Sequence, residues 1–279
     1  MNPTALASAR SLLFVPGHRP DRFEKALATA AGAVILDLED AVAPQDKAAA
    51  RTHLHAFAQQ ATPAQRARLL VRINPADAPD HAADLQVLRA LRDHPLAGVV
   101  LPKSSDLAAL AALSLAAGPG AALLPLIESA EGWAQADALA RAPGVLRLVF
   151  GHLDFQIDMG MSADDAQTEL MPVRLALVAA SRRAGLAPPV DGVTPDVADT
   201  AACDADAHRA RRLGFGGKLC IHPAQVALVH AAWAPSESER DWAQRVLSAN
   251  EAAKGAVFQF EGRMVDAPVL SRARRLLQP

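Results

Sequence analysis

The chain contains no tyrosine, and aromatic residues make up only 4% of it. A base-stacking surface for single-stranded nucleic acid therefore has little to be built from. An excess of one charge is also lacking. The 28 basic and 30 acidic residues leave a formal net charge of −2, which offers no electrostatic footprint for a nucleic-acid backbone or an anionic membrane. Cysteine is limited to Cys203 and Cys220, too few for a disulfide framework and in keeping with a reducing cytoplasm. The opening MNPTALASAR has no apolar stretch of signal-peptide length, and no run reaches the length of a membrane-spanning helix. What is abundant is apolar surface: 51% of the 279 residues are hydrophobic, largely through alanine. That length and composition suit one large α/β domain with a small appendage.

Short apolar runs alternate with alanine-rich segments of helical length. The runs at 11–17, 33–40, 69–74, 98–103, 122–129, 147–155, 188–193 and 217–223 read as strands. Between them, DRFEKALATAA and ADLQVLRALRDH space their apolar residues as helices do. Eight strands, each followed by a helix, describe a (β/α)8 barrel, and near-continuous apolar strands suit a parallel sheet covered by helices. An open doubly wound sheet is the alternative, but the first turn, FVPGHRPDRF, is not a G-x-G-x-x-G. Residues 224–234 read as the last barrel helix, so the barrel domain is expected over 1–234 and a C-terminal lid or oligomerisation segment over 235–279. In that tail Ser236 and Glu239 have capping-box spacing. AVFQFEGRMVDAP reads as two extended pieces around Glu261 and Gly262, and Pro268 opens a closing helix.

Acidic residues and a few cations gather at the ends of these strands. Asp37, Glu39 and Asp40 end the second, Arg72 the third, Lys103 the fourth, Glu128 the fifth and Asp154 the sixth. The C-terminal strand ends of a parallel barrel form one rim, where catalytic groups collect. Alternation along a strand puts Asp37 and Glu39 on one face, and Arg72 and Asn74 on one face. Two carboxylates without paired histidines favour a hard divalent cation, so Glu128 and Asp154 are the expected ligands of Mg²⁺, with Mn²⁺ possible. Either residue alone would be read as a helix cap or an arginine partner. Glu39 either orients a metal-bound water or substrate group, or pairs with Arg72. Arg72 is placed to fork onto a carboxylate or enolate oxygen. Lys103 reads as a cationic contact or a structural residue rather than a Schiff-base lysine. His222 reads as structural, while His152 precedes Asp154 by two and shares its face if both lie on a strand, a hint of substrate contact. His53 and His55 read as helix surface. No zinc spacing is present, GFGGK at 214–218 reads as a tight turn rather than a phosphate loop, and Ser104 and Ser105 lack a nucleophile-elbow setting.

The pieces RSLLFVPGHRPDRFEKAL, VILDLEDAVAPQDKAAAR, VRIN, GVVLPK, LLPLIESAEG, FGHLDF, GKLCIHPAQV and GRMVDAPVLSRAR follow one another along nearly the whole chain. Together they resemble the citrate lyase β-subunit-like family, within the HpcH/HpaI aldolase superfamily. The resemblance implies a Mg²⁺-dependent (β/α)8 enzyme that makes or breaks a carbon–carbon bond in a short hydroxyacyl thioester such as malyl-, citramalyl- or citryl-CoA. It implies Glu128 and Asp154 as metal ligands, Arg72 on the oxo-acid portion, and Glu39 standing behind metal and substrate. Lys103 and Arg19 become the expected contacts of the CoA thioester. Asp266, which the residues alone present as a helix N-cap, resembles a tail aspartate that reaches a neighbouring subunit's site, which implies a homo-oligomer, a trimer or a hexamer. Departures from the family pattern are His18 for a frequent Asn, His152 and Leu153 for smaller or acidic residues, and Ser104 and Ser105 after Pro-Lys. They bear on the acyl substrate. Competing readings are an aldolase acting on free 4-hydroxy-2-oxo acids, a citrate lyase subunit working on an acyl carrier protein, and a barrel that only binds.

Overall fold

The computed structural model describes residues 3–252 and 257–277. Met1, Asn2, 253–256, Gln278 and Pro279 lie outside them, and with them the first residue of the expected extended piece AVFQFEGRMVDAP. Eight parallel strands close into a barrel: β1 (Ser11–Pro16), β2 (Ala33–Asp37), β3 (Leu69–Arg72), β4 (Gly98–Leu101), β5 (Ala122–Ile127), β6 (Val149–Phe150), β7 (Val190–Asp191) and β8 (Gly217–Cys220). Neighbours pair in chain order and β8 returns to β1 through Ser11↔Lys218, Leu12↔Leu219 and Leu13↔Cys220. Each strand is followed by helix, so the expected (β/α)8 architecture is observed. Leu12, Ile35, Leu70, Val100, Leu124, Val149, Val190 and Leu219, drawn from all eight strands, form one buried cluster. These are the inward positions of the period-two alternation.

Several strands are shorter than the apolar runs suggest. β6 stops at Phe150 because Gly151 becomes the N-cap of a helix, His152–Asp158. β2 stops at Asp37, and Leu38–Asp40 bend rather than extend, with Leu38 and Glu39 buried and Asp40 exposed. Asp37 and Glu39 accordingly do not share a strand face. GFGGK behaves as expected: Gly214, at φ +98°, is the left-handed C-cap that turns the helix Thr200–Leu213 toward β8.

Polar locks hold the connections to the barrel. At the N-terminal end, buried Arg147 donates to the carbonyls of Pro188 (2.7 Å), Ala9 (2.7 Å) and Leu6 (3.3 Å). At the other end, fully buried Asp84 accepts from the backbone N–H of Asn74 (2.8 Å), its side-chain amide (2.6 Å) and Arg51 (3.1 Å). That knot ties the chain leaving β3 to the helix His81–Ala90, and so fixes where Arg72 ends.

The chain divides into two compact units, Met1–Ala231 and Ala232–Pro279. Within the second, helices Glu237–Ala252 and Ala267–Leu277 and a hairpin of β9 (Phe258–Phe260) and β10 (Arg263–Val265) surround Ala243, Val246, Val265 and Ala273. The capping box is present: Glu239 N–H donates to Ser236 Oγ (3.1 Å) and Ser236 N–H to Glu239 Oε2 (2.9 Å).

Asp84→Ala removes the acceptor of the buried Asn74 backbone N–H, one acceptor of the Asn74 side-chain amide and one of the two carboxylates that hold the part-buried Arg51. The expected cost is about 3–5 kcal/mol, measured as a fall in the urea midpoint of the barrel's unfolding; a shift below about 1 kcal/mol would show that Asp84 is not the knot described.

Candidate active site

The C-terminal ends of the strands surround a cavity of about 240 Å³. Its walls include Phe14, Asp37, Arg72, Glu128, His152 and Asp154. Glu128 follows β5 directly and is buried. Asp154 does not close a strand. It lies half-buried in the first turn of the helix His152–Asp158, where residues two apart are rotated by roughly 200°. His152 and Asp154 therefore cannot share a face as strand neighbours would, yet both border the cavity.

Arg72 is held by a two-pronged hydrogen bond. Its Nε donates to Asp37 Oδ1 (2.7 Å) and its Nη2 to Asp37 Oδ2 (2.6 Å). Cross-strand register makes the pair, since Asp37 lies directly opposite Arg72. Asp37 also accepts from the backbone N–H groups of Glu39 (3.1 Å) and Ala41 (3.0 Å), so its oxygens are committed. The guanidinium lies over the Phe14 ring at 4.7 Å. Its Nη1 is 2.9 Å from Glu39 Oε2, without the alignment of a hydrogen bond, and 3.8 Å from exposed Asp40. Burial works against the charge on Arg72, but Asp37, Glu39 and Asp40 raise its pKa. Glu39 is thus buried against Arg72 and is not among the residues that line the cavity.

Glu128 and Asp154 make no salt bridge among the described residues, and Glu39 has only Arg72, which it shares with Asp37. Burial pushes the Glu39 carboxyl up to about 8, against the pull of Arg72 and with repulsion from Asp40 and Asp37. Burial also raises Glu128 well above the carboxylate range; repulsion from Glu39 and Asp154 adds to this and the Lys103 amide opposes it. A divalent cation would reverse that displacement by neutralising carboxylates that lack a protein counter-ion. The donors are all hard oxygens, as Mg²⁺ requires. Among the described residues no cluster of three or more acidic, His or Cys side chains encloses a metal, which suits an ion bound by one or two carboxylates with water and substrate completing its shell.

Backbone features tighten the site. Lys103 adopts a left-handed φ of +46°, an uncommon conformation for a residue with a Cβ and of a kind that gathers at functional sites. The turn aims its N–H at Glu128 Oε1 (2.7 Å). Its exposed side chain borders a neighbouring groove with Ser104, Ser105 and Asp106. Gly151 leaves room for Glu128, since a Cβ there would collide with Oε2. Gly192 does the same for His152 Nδ1. His152 is buried, its Nδ1 has no hydrogen-bond partner, and burial lowers its pKa to about 4, so it is neutral at physiological pH.

Arg19 and His222 are not among the residues that line the cavity. Arg19 is exposed and doubly hydrogen-bonded to Asp21 at 3.0 Å. His222 is exposed and accepts from Ala224 N–H (3.2 Å) at the start of the helix Pro223–Trp233. Asp266, in the second unit, accepts from Val269 N–H (3.3 Å) as a cap of the closing helix. Sequence reasoning missed Lys47, which donates to Leu38 O (3.2 Å) and also to Asn74 Oδ1, bracing the turn that carries Glu39. It also missed Asp37 as the orienting partner of Arg72.

The chain matches the HpcH/HpaI aldolase/citrate lyase family over residues 10–223. It is 37% identical over 97% of its length to a citrate lyase subunit beta-like protein of Deinococcus radiodurans, 97% of which is covered. It is 34% identical over 96% of its length to an L-malyl-CoA/beta-methylmalyl-CoA lyase of Cereibacter sphaeroides, 93% of which is covered. The fold superposes with a TM-score of 0.85 and 34% identity on the crystal structure of the protein CitE from Mycobacterium tuberculosis in complex with magnesium, acetoacetate and coenzyme A, covering 97% of this chain and 98% of that one.

Gly151→Ala is expected to displace the Glu128 carboxylate and weaken Mg²⁺ binding by about tenfold or more, as read by titration calorimetry. Unchanged affinity in a folded variant would remove the glycine from the site.

Proposed function

The chain belongs to the HpcH/HpaI aldolase/citrate lyase family, and from that membership we propose a Mg²⁺-dependent carbon–carbon lyase that cleaves or forms a short 3-hydroxyacyl-CoA such as malyl-CoA or citramalyl-CoA. The products of cleavage are acetyl-CoA and glyoxylate or pyruvate. The observation that carries this reading is a pre-oriented Arg72 facing, across one small cavity at the barrel mouth, Glu128 and Asp154, which have no salt-bridge partner among the described residues. The named activity of the Cereibacter relative supports the thioester class, and the magnesium and coenzyme A named with the Mycobacterium structure support the cofactors.

In this proposal Glu128 and Asp154 hold the metal. When bound, Mg²⁺ supplies positive charge to the substrate's carboxylate and hydroxyl oxygens and lowers the pKa of that hydroxyl. Arg72, locked by Asp37, meets developing oxyanion charge without having to reorganise. Glu39 stands behind both, its carboxylate steered by Arg72. Lys103 and Arg19 are exposed cations on the loops after β4 and β1, available to the phosphates of the thioester. Asp266 of a neighbouring subunit protonates the enolate carbon in cleavage and removes that proton in synthesis. The tail thereby acts as lid and subunit contact of a homo-oligomer, a trimer or a multiple of it, in the cytoplasm. No helix among the described residues is long and apolar enough to cross a membrane.

Purified protein with Mg²⁺ is expected to release acetyl-CoA together with glyoxylate or pyruvate from malyl-CoA or citramalyl-CoA in a coupled assay. Cleavage of free 4-hydroxy-2-oxo acids alone would place it with the aldolases; cleavage of a carrier-protein thioester alone would make it a citrate lyase subunit. Asp266→Asn keeps a capping oxygen but not the transferable proton, so kcat should fall by about 10²–10⁴ with Mg²⁺ affinity unchanged. Parallel loss of both would sink the assignment of Asp266.

A further inference from the structure

Around the barrel, the cavity wall separates into two arcs. Strand order sets them, because neighbours follow chain order and β8 adjoins β1. One arc is charged: Asp37 on β2, Arg72 on β3, Glu128 after β5 and Asp154 in the helix after β6. The other is continuous and apolar: Phe150 on β6, Val193 past β7, Leu219 and Ile221 at β8, and Phe14 on β1. Arg72 is the only lysine or arginine among the described residues of the wall, and Asp37 already holds two of its nitrogens. His152, after β6 where the arcs meet, is neutral. The apolar arc is also braced. Buried Gln225 accepts from Ile221 N–H (2.9 Å) and donates to Thr194 O (2.9 Å). Thr194 Oγ1 donates to buried Asp206 (2.6 Å), and the carbonyl of Gly192 accepts from buried Lys218 (2.5 Å). Val193 is therefore flanked by two anchored residues, and the wall it belongs to resists opening for a larger group.

The cavity, of about 240 Å³, is small for a ligand pocket. It admits the reacting end of a thioester and not its nucleotide, which extends past the rim, where Leu153 and Ile221 are exposed. In the lyase reading, on which this inference rests, the carboxylate and hydroxyl oxygens of the substrate face the charged arc. The carbon that bears them has one further substituent, and the apolar arc receives it. A hydrogen leaves that surface unfilled, and a methyl group covers it. A second carboxylate would lie desolvated against a wall without a counter-ion. We infer that the site selects 2-oxo acids with a short uncharged alkyl substituent, the pyruvate type, over both glyoxylate and dicarboxylic oxo acids, and that Val193 sets this choice. Phe150 and Leu219 are buried in the barrel itself, whereas Val193 is half-buried beyond the end of β7, level with the reacting groups.

The test compares kcat/KM on citramalyl-CoA, malyl-CoA and citryl-CoA with Mg²⁺, and adds calorimetric affinities of the Mg²⁺-loaded protein for pyruvate and oxaloacetate. A methyl group in an apolar pocket is worth about 10–200-fold, so citramalyl-CoA is expected at least about tenfold above malyl-CoA. An unpaired buried carboxylate places citryl-CoA about 10²-fold or more below citramalyl-CoA, and pyruvate should bind at least about tenfold tighter than oxaloacetate. Val193→Phe fills the space for the methyl group and should lower the ratio of citramalyl-CoA to malyl-CoA turnover about tenfold or more. Val193→Lys supplies a cation and should move the affinity ratio toward oxaloacetate by as much. Malyl-CoA or citryl-CoA cleaved as well as citramalyl-CoA overturns the inference and leaves the lyase reading standing. Ratios unchanged in both folded variants remove Val193 from the role. Cleavage of none of the thioesters sinks the lyase reading, and the wild-type affinities then decide the inference: pyruvate bound no tighter than oxaloacetate, or neither bound, overturns it. Should the variants not fold, the wild-type ratios decide the selectivity alone.

Discussion

The fork between Arg72 and Asp37 is the constraint around which this molecule is arranged. A guanidinium taken out of water costs several kcal/mol unless it is paired and hydrogen-bonded. Asp37 meets that need with both oxygens at 2.6–2.7 Å. The pairing requires β2 and β3 in one register, both strands ending at one level, and the Asp84 knot holding the chain beyond β3. In return Arg72 is fixed in direction before any ligand arrives. Because Asp37 is consumed by Arg72 and by two backbone amides, its charge does not serve the rest of the cavity. Glu128 and Asp154 are left without a salt-bridge partner among the described residues, and the repulsion of Glu128 by Asp154 and by nearby Glu39 favours a cation there.

The barrel meets that demand through backbone more than through additional side chains. The left-handed turn at Lys103 delivers an amide to Glu128, Gly151 clears the space beside the same carboxylate, and Gly192 lets the neutral His152 pack against the wall. Each is a close approach that a different residue or turn would spoil. Together they aim Glu128 at the cavity with one oxygen already satisfied.

The small second unit has a separate logic. Its core of Ala243, Val246, Val265 and Ala273 is slight, and its helices begin with strong caps at Ser236 and Asp266. Asp266 is the case in which a structural and a chemical role are compatible: one carboxylate oxygen accepts Val269 N–H, and the other is left for the proton transfer proposed here.

Much of this was legible in the residues alone. Alternating apolar runs and helical spacing specify the eight-stranded barrel, because both periodicities are written along the chain. The Ser236–Glu239 box and the glycine turn before β8 are local patterns, and they form as read. Other features belong to tertiary structure. Asp154 rides on a helix because Gly151 ends β6 two residues into it, and an apolar run does not record where a strand stops. Lys103 reaches Glu128 through its backbone amide, since a left-handed turn is decided by what lies across it. The Asp37–Arg72 pair and the brace from Lys47 join residues far apart in sequence, and only barrel closure and strand register bring them within hydrogen-bonding distance. The sequence by itself determined which elements form and which chemical groups lie at their ends; the tertiary structure decided which of those groups face one another, because direction and separation are properties of packing rather than of spacing along the chain.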